Sequence, residues 1–111
     1  MKRIYIAGKI NDMAVDYLKN VHLMMTEAHK LRKQGYAIFI PCLDLLSGIM
    51  FGDLDYEDYT ENDMAWLEVC DELYVLPNWE TSNGTKAEIK RAQELGIPIT
   101  FIQMLPKIPG Y

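Results

Sequence analysis

Two acidic residues stand at positions where a pair of carboxylates could do chemistry. Glu88 is the last residue of the polar run 82–88, which follows the apolar stretch 73–77. Asp63 lies 25 residues before Glu88, early in another predicted helix. Two carboxylates in one cleft can cleave a glycosidic bond, because one attacks or stabilises the anomeric carbon while the other handles the leaving-group proton. Each has an alternative role, since an acid in the first turn of a helix complements the helix dipole for up to about 1 kcal/mol.

Small and polar residues near this pair are candidates for holding a ligand. Gly8 and Lys9 follow the first predicted strand, and the Lys9 ammonium could reach an anion there, although a lone loop lysine is more often simply solvated. Ser82 can either cap a helix or donate to a sugar or phosphate. Gly84 either lets a ligand approach the backbone closely or serves a turn.

Aromatic residues near the same loops have two interpretations as well. Trp79, in the loop that leaves the third predicted strand, could stack on a base or cover the edge of the sheet. Tyr5 and Tyr59 could likewise contact a nucleobase or pack in the core. In a small domain, core packing is the commoner role of aromatic residues.

Four short β-rich runs alternate with three helical patterns along the chain. The strands are predicted at residues 4–7, 36–40, 72–76 and 97–102, and the helices at about 11–34, 60–69 and 84–95. This order requires a parallel sheet covered by helices on both faces. We therefore predict an α/β fold with three layers, flavodoxin-like or Rossmann-like, with four or five strands in the order 2-1-3-4.

The predicted strand order reverses between the first and third strands, which is where ligands bind in open α/β sheets. Two loops meet there, residues 8–11 and residues 78–85. Residues 43–59 show no clean periodicity, and such a long irregular segment in a small domain is more often functional than idle. We predict that the ligand site lies where the two loops converge.

Length and charge limit the classes of protein to consider. The 111 residues fit one domain, which we place at residues 1–105, followed by a Pro- and Gly-containing tail at residues 106–111. The net charge of -5 argues against a protein that binds nucleic acid regardless of sequence, because such a protein needs a basic face. No apolar run approaches the length needed to cross a membrane.

Cysteine and histidine usage gives no sign of a metal site. Cys42 and Cys70 lack CxxC spacing and lie in apolar contexts, so we interpret them as reduced core thiols of a cytoplasmic protein. His22 and His29 have no acids or cysteines at metal-ligand spacing. We expect neither a metal nor an organic cofactor.

Several motifs match a known enzyme superfamily. They are Tyr5-Ile6-Ala7-Gly8, Asp63, Trp66-Leu67, Cys70-Asp71, Trp79-Glu80, Ser82-Asn83-Gly84-Thr85-Lys86-Ala87-Glu88, Ala92 and Leu95-Gly96-Ile97-Pro98. On these residues the chain resembles the nucleoside 2-deoxyribosyltransferase superfamily over nearly its whole length. It is most similar to a short phage and bacterial branch related to the 2'-deoxynucleoside 5'-monophosphate N-glycosidases.

The resemblance implies roles for the matching residues. Glu88 takes the place of the nucleophile, and Asp63 that of the aspartate that orients the sugar and assists the leaving base. Lys9 stands where many relatives have proline, and the first loop lacks the arginine of monophosphate-specific members, for which Lys9 could substitute as a point charge. The substrate-binding positions that the resemblance implies are Tyr5, Gly8, Ser82 and Gly84.

The resemblance also implies a function. We expect cleavage of the N-glycosidic bond of a nucleoside or nucleoside 5'-monophosphate, by hydrolysis or base exchange, through a glutamyl glycosyl-enzyme intermediate. The alternative is a protein of the same fold that binds or sequesters a nucleotide without turning it over. The expected partners are the small-molecule substrate and further copies of the chain. The copies would form a homodimer or a larger homo-oligomer in which a neighbour helps to close each site. We expect neither a nucleic acid nor a membrane as a partner.

Overall fold

A computed structural model describes residues 1–103 of the chain. Its elements are β1 (Arg3–Ala7), α1 (Ala14–Lys33), β2 (Ala37–Phe39), α2 (Pro41–Phe51), α3 (Tyr56–Leu67), β3 (Glu72–Val75), a 3₁₀ turn (Trp79–Thr81), α4 (Asn83–Leu95) and β4 (Ile99–Phe101). The four strands are parallel in the order β2-β1-β3-β4, which confirms the predicted fold class. The predicted tail lies outside the described residues, and no helix within them is long and apolar enough to cross a membrane.

Strand β1 is buried on both faces of the sheet, because successive side chains of a strand point in opposite directions. Tyr5 and Ala7 pack in the cluster beneath α3 and α4, together with Leu67 and Ala92 of those helices. Ile6 points into the second cluster, whose helical members come from α1 and α2. Helices therefore cover both faces of the sheet, which gives the three layers that the sequence predicted.

Residues 43–59 were predicted to be irregular, and this prediction is wrong because most of them are helical. Helix α2 begins with Pro41 at its first position, where the missing N–H has no helical partner to lose. It ends at Gly52, which adopts a left-handed conformation with φ of 70°. The amphipathic pattern is absent from the sequence because the outward face of α2 is apolar too. Its exposed residues include Leu46, Ile49, Met50 and Phe51.

Helix α3 begins at Tyr56, earlier than the predicted start at Thr60. Its cap is Asp55, whose carboxylate accepts a hydrogen bond from the backbone N–H of Asp58 at 3.1 Å, while the Asp58 carboxylate accepts from the N–H of Asp55 at 2.9 Å. This capping box sets the start of α3 four residues before the predicted one. Asp63 therefore lies in the third turn of α3, well past its start.

Local contacts determine where α1 begins and where α4 begins and ends. Helix α1 begins two residues after Asp12, because the Asp12 carboxylate accepts from the backbone N–H of Met13 at 2.8 Å outside the helix. Ser82 caps α4 and accepts from the backbone N–H of Thr85 at 3.2 Å. Gly96 ends α4 in a left-handed conformation with φ of 71°.

Gly8 follows β1 in close contact with the end of β3. A Cβ atom at Gly8 would lie 2.6 Å from Leu76 Cδ1 and 2.8 Å from Leu76 Cβ. The Asn78 side chain fixes the same turn, since its oxygen accepts from the Lys9 backbone N–H at 3.0 Å and its nitrogen donates to the Lys9 carbonyl at 3.3 Å. The ends of β1 and β3 are thus held together by a contact that leaves no room for a larger residue at position 8.

Gly8→Ala is expected to lower the free energy of unfolding by about 1–3 kcal/mol, because the added methyl overlaps the Leu76 side chain in a packed region. Gly84→Ala is the matched control, since a Cβ at Gly84 meets only Tyr56 Oη at 3.8 Å. Within a helix the control should be neutral or stabilising by up to about 1 kcal/mol. Urea unfolding followed by circular dichroism measures both, and equal stability of Gly8→Ala and wild type would contradict the close contact.

Candidate active site

A cleft of about 300 Å³ opens at the carboxyl ends of β1 and β3. Its volume falls in the range of small-ligand sites. The loop after β1, the facing sides of α2 and α3, and the start of α4 form its walls. Seven of the nine residues predicted for the site line it, namely Gly8, Lys9, Tyr59, Asp63, Ser82, Gly84 and Glu88.

Glu88 is the sixth residue of α4, and the prediction that it lies in the first turn is wrong. Because the effect of the helix dipole fades beyond the first turn, complementing that dipole does not account for a carboxylate at this position. Glu88 lines the cleft, where burial raises its pKa to about 7, and the neighbouring Tyr5 hydroxyl acts in the opposite direction. A partly neutral carboxyl group at neutral pH is the result.

Asp63 lines the same cleft from the third turn of α3. Complementing the helix dipole therefore does not account for this carboxylate either. Burial is the largest cause that raises the pKa of Asp63 to about 8. Contact with the Asp44 carboxyl and the negative charge of Glu88 raise the pKa further. At neutral pH Asp63 is therefore mostly protonated and able to donate a hydrogen bond or a proton.

Glu88 and Asp63 together supply two carboxyl groups whose pKa values are raised to different extents, to about 7 and about 8. Because Asp44 and Glu88 both disfavour ionisation of Asp63, Glu88 can ionise and act as a base or nucleophile while Asp63 retains its proton and can act as an acid. Perturbed carboxyl groups that share a cleft mark candidate catalytic sites.

Tyr5 lies beneath the cleft and does not line it, and a direct contact with the substrate stays a prediction. The residue is fully buried, and burial, followed by the charges of Glu88 and Asp63, raises the pKa of its hydroxyl well above the usual value. The hydroxyl affects the pKa of Glu88 but makes no well-aligned hydrogen bond within residues 1–103. Tyr5 is thus a neutral neighbour of both carboxyl groups.

Trp79 also lies outside the cleft lining, because its ring packs against the core cluster beneath α3 and α4. Its ring centroid is 5.5 Å from that of Phe101, with the rings tilted by 55°. Of the two roles considered for Trp79, this packing fits covering the edge of the sheet, and stacking on a base stays a prediction.

Lys9 lines the cleft with its ammonium group already engaged. Its Nζ lies 3.2 Å from the Asp12 carboxylate and 3.2 Å from the Thr81 hydroxyl. The first loop and the loop after β3 are tied together by these contacts. A ligand anion would meet a lysine whose charge is partly balanced by Asp12.

Tyr59 forms the wall of the cleft between α2 and α3. A Cβ atom at Gly48 of α2 would overlap the Tyr59 hydroxyl, so only glycine allows the ring to lie against the helix there. The sequence interpretation gave no role to Gly48, and an isolated glycine inside a helical segment was the available signal.

Asp44 was also passed over in the sequence, because its segment was predicted to be irregular. It lies in the first turn of α2, half-buried, and contacts the carboxyl group of Asp63. It does not line the cleft. The signal in the sequence was a single acid within the apolar run 41–46.

A family model described as a domain of unknown function, DUF4406, matches residues 2–101. The chain belongs to the DUF4406 family. A solved 2-deoxyribosyltransferase from the psychrotolerant bacterium Bacillus psychrosaccharolyticus is similar to this family member, with a TM-score of 0.69 and 23% identity over 89% of this chain and 70% of that one. No protein of curated function matches the chain. The structural likeness shows a shared fold, and the superfamily with its short phage and bacterial branch stays a prediction.

Unfolding measured against pH tests whether the two carboxyl groups of this DUF4406 protein are perturbed. A carboxyl group whose folded pKa is raised adds stability while protonated, and this stability is lost as pH rises from the unfolded value to the folded one. For Asp63 the window runs from 3.8 to about 8, and for Glu88 from 4.5 to about 7.

Asp63→Asn and Glu88→Gln cannot ionise, so each should gain stability relative to wild type as pH rises through its window. Urea unfolding at intervals from pH 4 to pH 9 gives the difference, and the double variant should combine the two gains. A wild type and Asp63→Asn whose stabilities differ by a constant amount across this range would contradict the raised pKa.

Proposed function

We propose that this protein cleaves the N-glycosidic bond of a nucleoside or nucleoside 5'-monophosphate, through a glutamyl glycosyl-enzyme intermediate. The observation that carries the proposal is the placement of Glu88 and Asp63. Both carboxyl groups line one cleft, neither lies at a helix start, and burial raises the pKa of each. The likeness of the fold to a 2-deoxyribosyltransferase supports the same reaction class.

The charged neighbours of the two groups favour distinct roles. Glu88 is the group that ionises and attacks the anomeric carbon as the bond to the base breaks. Asp63, whose pKa is raised by burial and then by the Asp44 carboxyl and the negative charge of Glu88, keeps a proton at neutral pH and passes it to the leaving nitrogen of the base. The products of this step are the free base and an ester between Glu88 and the sugar.

The second half of the reaction reverses the first. Water attacks the anomeric carbon of the ester, Asp63 takes up the proton, and the Glu88 carboxylate is released, which completes hydrolysis. If a second base attacks in place of water, the outcome is base exchange. Both outcomes use the same two residues, so the choice between them depends on what occupies the place of the first base.

The start of α4 is suited to the 5' end of the substrate. The Ser82 hydroxyl accepts from the Thr85 backbone N–H at 3.2 Å and from the Thr85 hydroxyl at 2.9 Å, which leaves its own O–H to donate to a ligand. The backbone N–H groups at the first turn of a helix favour hydroxyl or phosphate oxygens. Lys9 adds a positive charge to the same cleft.

A homo-oligomer stays a prediction, and so do the cytoplasmic location and the absence of a cofactor, nucleic acid or membrane partner. The exposed apolar side chains of α2 are the feature of the described surface that favours contact with another copy. They include Ile49, Met50 and Phe51, each more than half exposed, at 59%, 70% and 73%.

Release of free base is the direct test of the reaction. The protein is incubated with a panel of deoxyribo- and ribonucleosides and their 5'-monophosphates, and free base is measured by chromatography. Glu88→Gln should abolish release because the amide is not a nucleophile. The matched control is Glu94→Gln on the same helix, which replaces an exposed acid that pairs with Arg91 at 3.2 Å and should leave the rate unchanged.

Two outcomes of this assay would contradict the proposal. Base release by Glu88→Gln at the wild-type rate would show that the reaction does not pass through a glutamyl intermediate. Tight binding of a nucleotide by the wild type, with no release of base across the panel, would favour the alternative of a nucleotide-binding or sequestering protein.

Gly84→Ala tests where the substrate lies. The added methyl projects into open space, 3.8 Å from Tyr56 Oη, so it takes up room in the cleft without disturbing the fold. We expect kcat/KM to fall about tenfold or more, because one methyl group in a pocket is worth about 1–3 kcal/mol. Steady-state kinetics and urea unfolding on the same variant separate the two effects. An unchanged kcat/KM would place the substrate away from the start of α4.

A further inference from the structure

Asp44 of α2 and Asp63 of α3 bring their carboxyl groups into contact behind the wall of the cleft. Both residues are half-buried. Asp44 Oδ2 and Asp63 Oδ1 are each shielded from solvent, and neither has a hydrogen-bond partner within residues 1–103. Asp63 lines the cleft, whereas Asp44 does not.

Two ionised carboxylates cannot satisfy each other, because each oxygen only accepts hydrogen bonds. Buried oxygens left without a donor are costly, and two like charges in contact repel each other. A single proton removes both problems, since it turns one carboxylate into a donor and the other into its acceptor. The two orphaned oxygens are therefore explained if the pair holds one proton.

We propose that Asp44 and Asp63 share one proton, and that Asp44 is a positioning residue that keeps this proton available on Asp63 for the leaving base. What the proton does rests on the function proposed above, whereas the sharing itself does not. Asp44 acts only through Asp63, because it does not line the cleft.

The groups around the pair do not offer a replacement for the shared proton. The Asn62 amide, next to Asp63 on α3, lowers the pKa of Asp63, but its effect is smaller than those of burial, Asp44 and Glu88. Glu88 faces Asp63 from α4, and its negative charge adds to the repulsion. Tyr5 approaches from β1 with a hydroxyl whose pKa is raised, first by burial and then by Glu88 and Asp63. Tyr59, from α3, lies near Asp44. Lys9 is the cation that lines the described part of the cleft, and Asp12 engages it at 3.2 Å.

The proton balance follows the two halves of the reaction. When the bond from the anomeric carbon to the base nitrogen breaks, the shared proton moves from Asp63 to that nitrogen, and the bond from Glu88 to carbon forms. The pair then carries two negative charges, which favour recovery of a proton. Attack of water on the ester returns one proton to Asp63, places the hydroxyl on the sugar and frees Glu88.

Carbon-13 NMR of the aspartate carboxyl groups in the ligand-free protein tests the sharing without any substrate. Spectra of the wild type from pH 3 to pH 10 should contain one aspartate signal that titrates above pH 6, and Asp63→Asn should remove it. In Asp44→Asn this midpoint should fall by about one pH unit or more, because the repulsion is lost and the amide donates to ionised Asp63. Asp53→Asn, which removes an exposed acid of the loop before α3, should leave it in place.

The pH profile of kcat/KM adds a readout that a purely structural role would not move. The alkaline limb, which reports loss of the Asp63 proton, should shift down by the same amount in Asp44→Asn, so that activity at pH 9 falls about tenfold while activity at pH 6 is nearly preserved. A uniform loss of activity at every pH, with an unmoved limb, would overturn the positioning role.

The two proposals fail in different ways. If no aspartate of the wild type titrates above pH 6, or if Asp44→Asn folds with the Asp63 midpoint unchanged, the shared proton is wrong, and the wild-type result decides the matter even when the variant does not fold. If the midpoint is raised and shifts as expected but no substrate releases a base, the shared proton stands and the proposed reaction fails.

Discussion

The parallel pairing of β1 with β3 is the constraint on which the cleft depends. Tyr5 pairs with Leu73 and Ala7 with Val75, so the two strands end side by side and the loops that follow them begin at the same edge of the sheet. A shift of β1 by one residue would turn Tyr5 away from α3 and α4. The contact of Gly8 with Leu76 then fixes the distance between the two strand ends.

Exclusion of water from two carboxyl groups is the second condition for the site. Burial is the largest cause of the raised pKa for both Glu88 and Asp63, ahead of any charge. Such groups oppose folding when they ionise, so the domain loses some stability at neutral pH by keeping them partly buried in the cleft. The fully buried side chains of β1 and β3 provide the compensating apolar contacts.

The sheet could be predicted from the sequence because its signals are local. The apolar run of β1 and the position of Pro98 before β4 require no knowledge of distant contacts, and the strand order follows from general rules of connection. The cleft residues that follow these strands, such as Lys9 and Ser82, could be predicted for the same reason, because the strand ends determine where they lie.

The features that the sequence did not predict depend on contacts between helices that are distant in sequence. Helix α2 was not predicted because its outward face is apolar too, which hides the amphipathic pattern. Asp44 gained significance only when the structure brought α2 against α3, since nothing near it in sequence points to Asp63.

The contact of Tyr59 with Gly48 links the chemistry of the cleft to the packing of two helices. Because the ring rests directly on the backbone of α2, the spacing of α2 and α3 is governed by a residue without a side chain. Asp44 lies on α2 and Asp63 on α3, so the spacing of the two helices sets the distance between the two carboxyl groups. The acidity of a group in the cleft is thereby adjustable from a glycine that does not line the cleft, and a relative with a bulkier residue at this position would need a different helix separation and a different proton affinity.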